Sequence, residues 1–317
     1  MLIKKADDRS ADVDTLRGLA ARPDASQETR RRIEQEIRNI QSGMRGEAEA
    51  AYEMEFHYGA SKNWMIVHDL RLECGGRTAQ IDHLLVNRFL EIYVCESKRF
   101  SEGVAVNEQG EFSAFYGGKP HGVPSPLEQN RRHMAVLEAV FKTGQVAPPK
   151  RLGFTISPSL HGLVLVSKTA RISRSKTKIE GIETIIKNDQ LKAKIDRDID
   201  KDNNILGAAK IIGQDTLEDF ARRLAEVHRP IKFDWAAKFG LPAVAPVSSP
   251  EKVVAPPPEA APAPEIAESS GDKKSKLACS SCGTVVAYNV AKFCWFNKPR
   301  FGGKVFCMDC QKAVPNQ

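Results

Sequence analysis

Two short apolar runs carry charge where a strand core has no use for it: Gln80-Ile81-Asp82-His83-Leu84-Leu85-Val86 and Ile92-Tyr93-Val94-Cys95-Glu96-Ser97-Lys98. Each reads as a β-strand, and Asn87-Arg88 with their neighbours supply the turn. Asp82 and Glu96 are equally far from Phe89, so a hairpin centred there sets the two carboxylates opposite each other. Glu96 and Lys98, two residues apart, share a face of the sheet. Two carboxylates and a lysine gathered at a sheet edge suit a hard divalent cation and an activated water. Asp82 and Glu96 would bind Mg²⁺ or Mn²⁺, and Lys98 would orient the water and offset negative charge in the transition state. Glu47, on a preceding helix, would reach the metal through a water or hold Lys98. Gln129 shares a helix face with His133, four residues on, and would position the water or a phosphate oxygen. Taken singly, each of these residues is equally at home as a solvated charge or a turn cap. The rarer feature is the combination: an Asp inside an apolar strand, then Glu-x-Lys closing the next.

A second constellation lies near the C-terminus. Cys279-Ser280-Ser281-Cys282 and Cys307-Met308-Asp309-Cys310 are two CxxC pairs 24 residues apart. Each pair can supply two thiolates to a tetrahedral Zn²⁺, with a hairpin expected across the interval. A redox CxxC predicts one pair beside a βαβ unit, not two pairs in a short module. Cys294, between Phe293 and Trp295, is expected to be a buried thiol rather than a ligand. Lys292, Trp295, Lys298, Arg300 and Lys304 mix positive charge with aromatic surface, which suits phosphate pairing and base stacking. A module this small also needs aromatics simply to build a core.

These residues must be positioned by surrounding elements. Residues 1–42 read as a charged helical segment, with Ser26 capping a helix through Ile40. Gly43 and Gly46 then punctuate the chain, and Glu47 to Tyr58 reads as a separate helix. Trp64 to Leu70 reads as a strand, as do Phe112 to Tyr116 and Leu163 to Val166, and Pro126 opens a helix to Phe141. The main domain is expected over 43–170, with a helical continuation over 171–240 that includes Leu217 to Val227. Residues 241–276 hold eight of the 18 prolines and read as a flexible linker. Residues 277–317 form the cysteine module. His83 should face away from Asp82 as a packed or hydrogen-bonded core residue, while His68 and His121 show no partner.

The chain has 317 residues, 41% of them hydrophobic and 27% charged, as expected for a globular protein with a sizeable core. No run approaches the ~18 apolar residues of a membrane span. No secretory signal is visible, so a cytoplasmic location and no membrane partner are expected. The net charge of +7 is concentrated: residues 271–317 carry eight Lys or Arg against two Asp, and the rest is nearly balanced. That distribution points to an acidic partner for the C-terminal module.

Gly43-x-x-Gly46-Glu47, Gln80-Ile81-Asp82-His83, Glu96-Ser97-Lys98 and Pro126-Leu127-Glu128-Gln129 occur in the order that resembles the nuclease-related domain, NERD, of the PD-(D/E)xK nuclease superfamily. The resemblance covers about residues 40 to 170. It implies an α/β core, a mixed sheet flanked by helices, and a metal-dependent nuclease acting on DNA, with Glu47, Asp82, Glu96, Lys98 and Gln129 at the matching positions. Gln80-Ile81 stands where the superfamily's namesake Pro would be. The alternative function is a non-catalytic DNA-binding or adaptor protein whose zinc module binds another protein. The sequence leaves the oligomeric state open.

Overall fold

The computed structural model describes residues 1–151, 153–201, 211–242, 277–286, 288–296, 298–312 and 314. Most of the expected linker, from residue 243 to 276, lies outside them. The chain divides into two compact units, Met1–Val247 and Ser248–Gln317.

The first unit opens with β1 (Leu2–Lys4), α1 (Ser10–Ala20) and α2 (Gln27–Tyr58), followed by β2 (Trp64–Cys74), β3 (Arg77–Asn87) and β4 (Glu91–Lys98). Next come β5 (Gly103–Val106), β6 (Phe112–Tyr116), β7 (Lys119–Val123), α3 (Pro126–Lys142), and the short strands β8 (Lys150–Arg151) and β9 (Phe154–Thr155). The unit closes with β10 (Ser159–Val166), β11 (Arg171–Ser173), β12 (Ile185–Lys187), α4 (Leu191–Lys201), α5 (Gln214–Glu226) and α6 (Trp235–Lys238). Six strands form one sheet in the order β1-β2-β3-β4-β10-β12. The β2–β3 and β3–β4 pairs are antiparallel; β1–β2, β4–β10 and β10–β12 are parallel. The sheet is therefore mixed, as expected. A smaller sheet, β11-β5-β6-β7, stands beside it.

Helices cover both faces of the large sheet, which explains why its central strands are almost continuously apolar. On one face Val136, Leu137 and Val140 of α3 and Leu217, Phe220 and Leu224 of α5 pack on Leu84, Val86, Ile92 and Val94. On the other, Ala50, Met54 and Tyr58 of α2 and Leu191 and Ile195 of α4 pack on Leu85, Tyr93, Cys95 and Leu163.

Three expectations need correction. The N-terminal segment is not wholly helical, because Leu2–Lys4 pairs with β2. Residues 171–240 are not purely helical either, since β11 and β12 lie in them. Most important, α2 is a single helix of 32 residues, and Gly43 and Gly46 do not break it. Its start is as expected: Ser26 Oγ accepts a hydrogen bond from Thr29 N–H at 3.1 Å. A glycine inside a helix costs about 1 kcal/mol, but Gly46 is buried where α2 crosses the end of β4. A Cβ there would lie 3.0 Å from Arg99 Cβ. The missing side chain lets the helix lie against the strand end, and tertiary packing outweighs local propensity. Gly43 is exposed, and the only atom a Cβ would meet is Glu47 Oε1 at 3.7 Å.

The second unit contains one β-bridge, Ala278 to Val285, and three short helices, α7 (Tyr288–Phe296), α8 (Lys298–Phe301) and α9 (Met308–Lys312). Among the described residues, helices rather than the expected hairpin span the interval between the two CxxC pairs.

The two glycines of α2 make a paired test. Gly43→Ala should stabilise the protein by up to about 1 kcal/mol through helix propensity alone. Gly46→Val should destabilise it by roughly 1–3 kcal/mol through overpacking against Arg99. Urea unfolding of both variants checks this, and the same sign for both would contradict the packing explanation.

Candidate functional site

The register of β3 on β4 pairs Val86 with Ile92 and ends with His83 on Cys95, so Asp82 and Glu96 are the residues immediately beyond the last pair. Asp82 Oδ2 accepts a 2.7 Å hydrogen bond from Ser97 N–H; Oδ1 has no protein partner among the described residues. Glu96 is 1% exposed. Its Oε1 lies 2.6 Å from Lys98 Nζ, and its Oε2 lies 3.2 Å from His133 Nδ1 on α3. That last approach lacks hydrogen-bond geometry, so Glu96 Oε2 and His133 Nδ1 are both buried without a partner. Glu47 reaches the cluster from α2, half-buried.

Each of these groups lies in the field of the others. Burial pushes the Asp82 carboxyl well above the usual carboxylate range, and the charges of Glu96 and Glu47 push it further. Burial likewise raises Glu47, as do Asp69 and Glu96, while Arg9 and Lys98 oppose the shift. The carboxylates offer the oxygen donors a hard divalent cation prefers, and Glu96 Oε2 is buried without a hydrogen-bond partner, but among the described residues their oxygens do not form a cluster of three or more as close as the one the cysteines form. Four of the expected residues, Glu47, Asp82, Glu96 and Lys98, are thus brought together. Gln129 is half-buried on α3 and makes no hydrogen bond or ion pair with them among the described residues; His133, one turn on, is the α3 residue that meets Glu96.

Asp69 is the acidic neighbour that sequence reading missed. It sits on β2 with φ of 53°, a left-handed conformation unusual for a non-glycine residue. Its Oδ2 accepts Asp7 N–H at 2.9 Å, and its Oδ1 accepts from Gln80 Nε2. The signal was present: His68-Asp69 interrupts the apolar run of β2 as Asp82-His83 interrupts that of β3.

The histidines between these acids turn the other way. His68 Nδ1 and His83 Nδ1 are 2.8 Å apart, one donating and one accepting, and His83 Nε2 is 3.0 Å from Ser97 Oγ. His68 Nε2 comes within 3.3 Å of Glu55 Oε1. Burial holds both imidazoles below the usual histidine range, well below it for His83. His83 is the hydrogen-bonded core histidine expected of it. His68, for which the sequence shows no partner, has His83.

In the second unit the Sγ atoms of Cys279, Cys282, Cys307 and Cys310 all lie within 4.8 Å of one another. Tetrahedral Zn–S bonds of ~2.3 Å place sulfurs about 3.8 Å apart, so the cluster fits Zn²⁺. Hydrogen bonds from the backbone N–H groups of Cys307 and Cys282 bring the Cys279 thiol down to about 6, favouring the thiolate a metal needs. Cys307, then Cys282, pushes Cys310 up to about 12. Cys294 is fully buried, with Phe306 N–H 3.4 Å from its sulfur, the packed thiol expected. Lys292, Trp295 and Lys304 are exposed, and the side chain of Lys298 lies outside the described set. Arg300 corrects the expectation: its guanidinium donates to Gln311 O at 2.9 Å and Val314 O at 2.8 Å. It caps the end of α9 instead of standing free for phosphate.

Residues 42–166 match the family model of the nuclease-related domain, NERD. No curated protein and no solved structure matches the chain. The stretch that carries the four gathered residues is therefore similar to the nuclease-related domain, and the same chain carries a four-cysteine module. Among the described residues no helix is long and apolar enough to cross a membrane.

Two outcomes follow. Asp82→Asn keeps an acceptor for Ser97 N–H but removes a raised, repelled charge, so without divalent metal it should stabilise the fold. One kcal/mol would raise Tm by about 2–4 °C. Because the folded pKa lies above the unfolded value of about 3.9, wild type loses stability relative to this variant as pH rises from there through the folded pKa. Calorimetry at several pH values reads the trend, and a pH-independent difference contradicts it. Second, the full chain should carry one zinc ion, and Cys279→Ser should abolish it while the first unit still unfolds cooperatively. Metal analysis and calorimetry read both parts.

Proposed function

We propose that this chain is a metal-dependent nuclease that hydrolyses phosphodiester bonds in DNA, and that its zinc module holds nucleic acid. The observation that carries the reading is the convergence of Asp82, Glu96 and Glu47 on Lys98 inside a stretch similar to the nuclease-related domain.

Asp82 and Glu96 are the residues that would hold Mg²⁺ or Mn²⁺, with Glu47 reaching it directly or through a water. Such an ion lowers the pKa of a bound water and stabilises charge developing on phosphate. The protein's own residues do the rest. Ser97 N–H fixes Asp82 through Oδ2. Lys98 Nζ, ion-paired with Glu96 Oε1 at 2.6 Å, is the group that would orient the attacking water or a non-bridging phosphate oxygen. His133 closes the buried side of Glu96. In the zinc module, Lys292, Lys304 and Trp295 are the groups for phosphate and base contact.

Purified Asp82→Ala and Glu96→Ala should lose cleavage of single- or double-stranded DNA by on the order of 10²–10³-fold or more, the scale of removing a group that stabilises transition-state charge. Lys98→Ala should lower turnover at saturating metal without comparable loss of metal affinity. Wild-type cleavage by either carboxylate variant, with the fold verified by circular dichroism, would falsify the site.

A further inference from the structure

Many basic residues on the helices of the first unit are ion-paired, while others, Arg31, Arg45 and Arg132 among them, are in no ion pair among the described residues. Lys142 pairs with Glu138, Lys192 with Asp196, Lys194 with Asp198, Arg222 with Glu218 and Arg223 with Asp219, all one helical turn apart and within 2.9 Å. One stretch stands out for dense positive charge without any acid. From Lys168 to Lys178 there are five Lys or Arg among eleven residues, with no Asp or Glu. All five, Lys168, Arg171, Arg174, Lys176 and Lys178, are exposed, and among the described residues none is in an ion pair. Arg174 alone is tied down, donating to Ile185 O at 2.6 Å.

The topology puts this stretch beside the site. β10 runs parallel to β4 with Val166 level with Lys98, so the chain leaves the sheet at the end where the carboxylates gather. Ser167 Oγ is bonded at 2.9 Å to Glu49 of α2, two residues from Glu47. The two exiting segments then stay together: Ile172 of β11 pairs in parallel with Val104 of β5, the strand that follows β4. β11 is the outer strand of the small sheet, and among the described residues no strand pairs with its far edge.

We infer that Lys168, Arg171, Lys176 and Lys178 form the surface that grips the phosphate backbone of a nucleic-acid strand beside the carboxylate cluster. Exposed cations close together in the chain, next to a site that repels anions, supply the attraction a polyanion needs to approach those carboxylates. Edge strands also carry lysine to block pairing with other chains, but that use needs charge on the strand itself. Lys168, Lys176 and Lys178 lie outside Arg171–Ser173. The proposal deepens the nuclease reading, and its test separates the two.

The test compares the full chain with a variant carrying Lys168→Gln, Arg171→Gln, Lys176→Gln and Lys178→Gln. Both carry Asp82→Asn to leave DNA uncleaved, and both are titrated with fluorescent single- and double-stranded DNA across salt concentrations. Each cation removed from a phosphate should flatten the duplex log K against log salt slope by about 0.9, hence by about 3.6 for the four. The control Lys192→Gln/Lys194→Gln, drawn from the ion-paired face of α4, should leave the slope unchanged. With Asp82 restored, the quadruple variant should raise KM for DNA and keep kcat. An unchanged slope in a well-folded quadruple variant overturns the surface and leaves the nuclease reading standing. A slope flattened equally in the α4 control overturns it too, by reducing the effect to net charge. A parent chain that binds no nucleic acid at any salt overturns both readings.

Discussion

The hydrogen bond from Ser97 N–H to Asp82 Oδ2 depends on one alignment of β3 against β4. A slip of one residue would turn Asp82 toward the opposite face of the sheet and separate it from Glu96. Packing on both faces holds the alignment. Leu84 and Val86 are committed to the α3–α5 side, and Leu85 to the α2–α4 side. The turn reinforces it: Asn87 Oδ1 accepts N–H groups from Phe89 and Glu91, and Leu90 adopts φ of 57°. On the reverse face His83 bonds Ser97, so the residue between Glu96 and Lys98 is fixed from both sides.

The cluster so assembled is electrostatically unfavourable for the isolated protein. Asp82 and Glu47 are both raised by burial and by neighbouring carboxylates, and Lys98 with Arg9 offsets only part of that repulsion. A local penalty of this kind survives because the surrounding packing over-determines the backbone, and such penalties collect at functional sites. Asp69 adds to it with a left-handed backbone. Before it, Met65 and Val67 pack against α3 and α5; after it, Leu70 and Leu72 do. The alternation of the strand changes phase there, opposite the point on β3 where it changes between Ile81 and Leu84. The site lies where the pleat is broken, so charged groups can enter a sheet whose strands are otherwise apolar.

The two units use different physics. The first relies on apolar burial on both faces of a sheet, where each large side chain removed from water contributes about 1.5–3 kcal/mol. In the second, the hydrophobic cluster of Cys279, Val286, Ala291 and Val305 is small, and the thiols themselves form part of it. Arg300, drawn into capping α9, illustrates how few polar groups so small a module can leave idle.

Much was legible without coordinates. Asp82 and Glu96, equidistant from a turn, dictated their own meeting, because antiparallel pairing has a fixed period. Ser26 and Pro126 marked helix starts because capping and the fit of proline to a first helical turn are local chemistry. The two CxxC pairs, with their spacing, carried the metal cluster. Tertiary structure alone decided the rest. Gly46 reads as a breaker until Arg99 is seen against it. Gln129 and His133 are equivalent on a helical wheel, and only the docking of α3 puts His133 against Glu96. Asp69 joins the acids through a backbone angle that no propensity favours. Periodicity specifies which residues share a face of one element; which faces meet depends on packing between elements distant in the chain, and no local pattern encodes it.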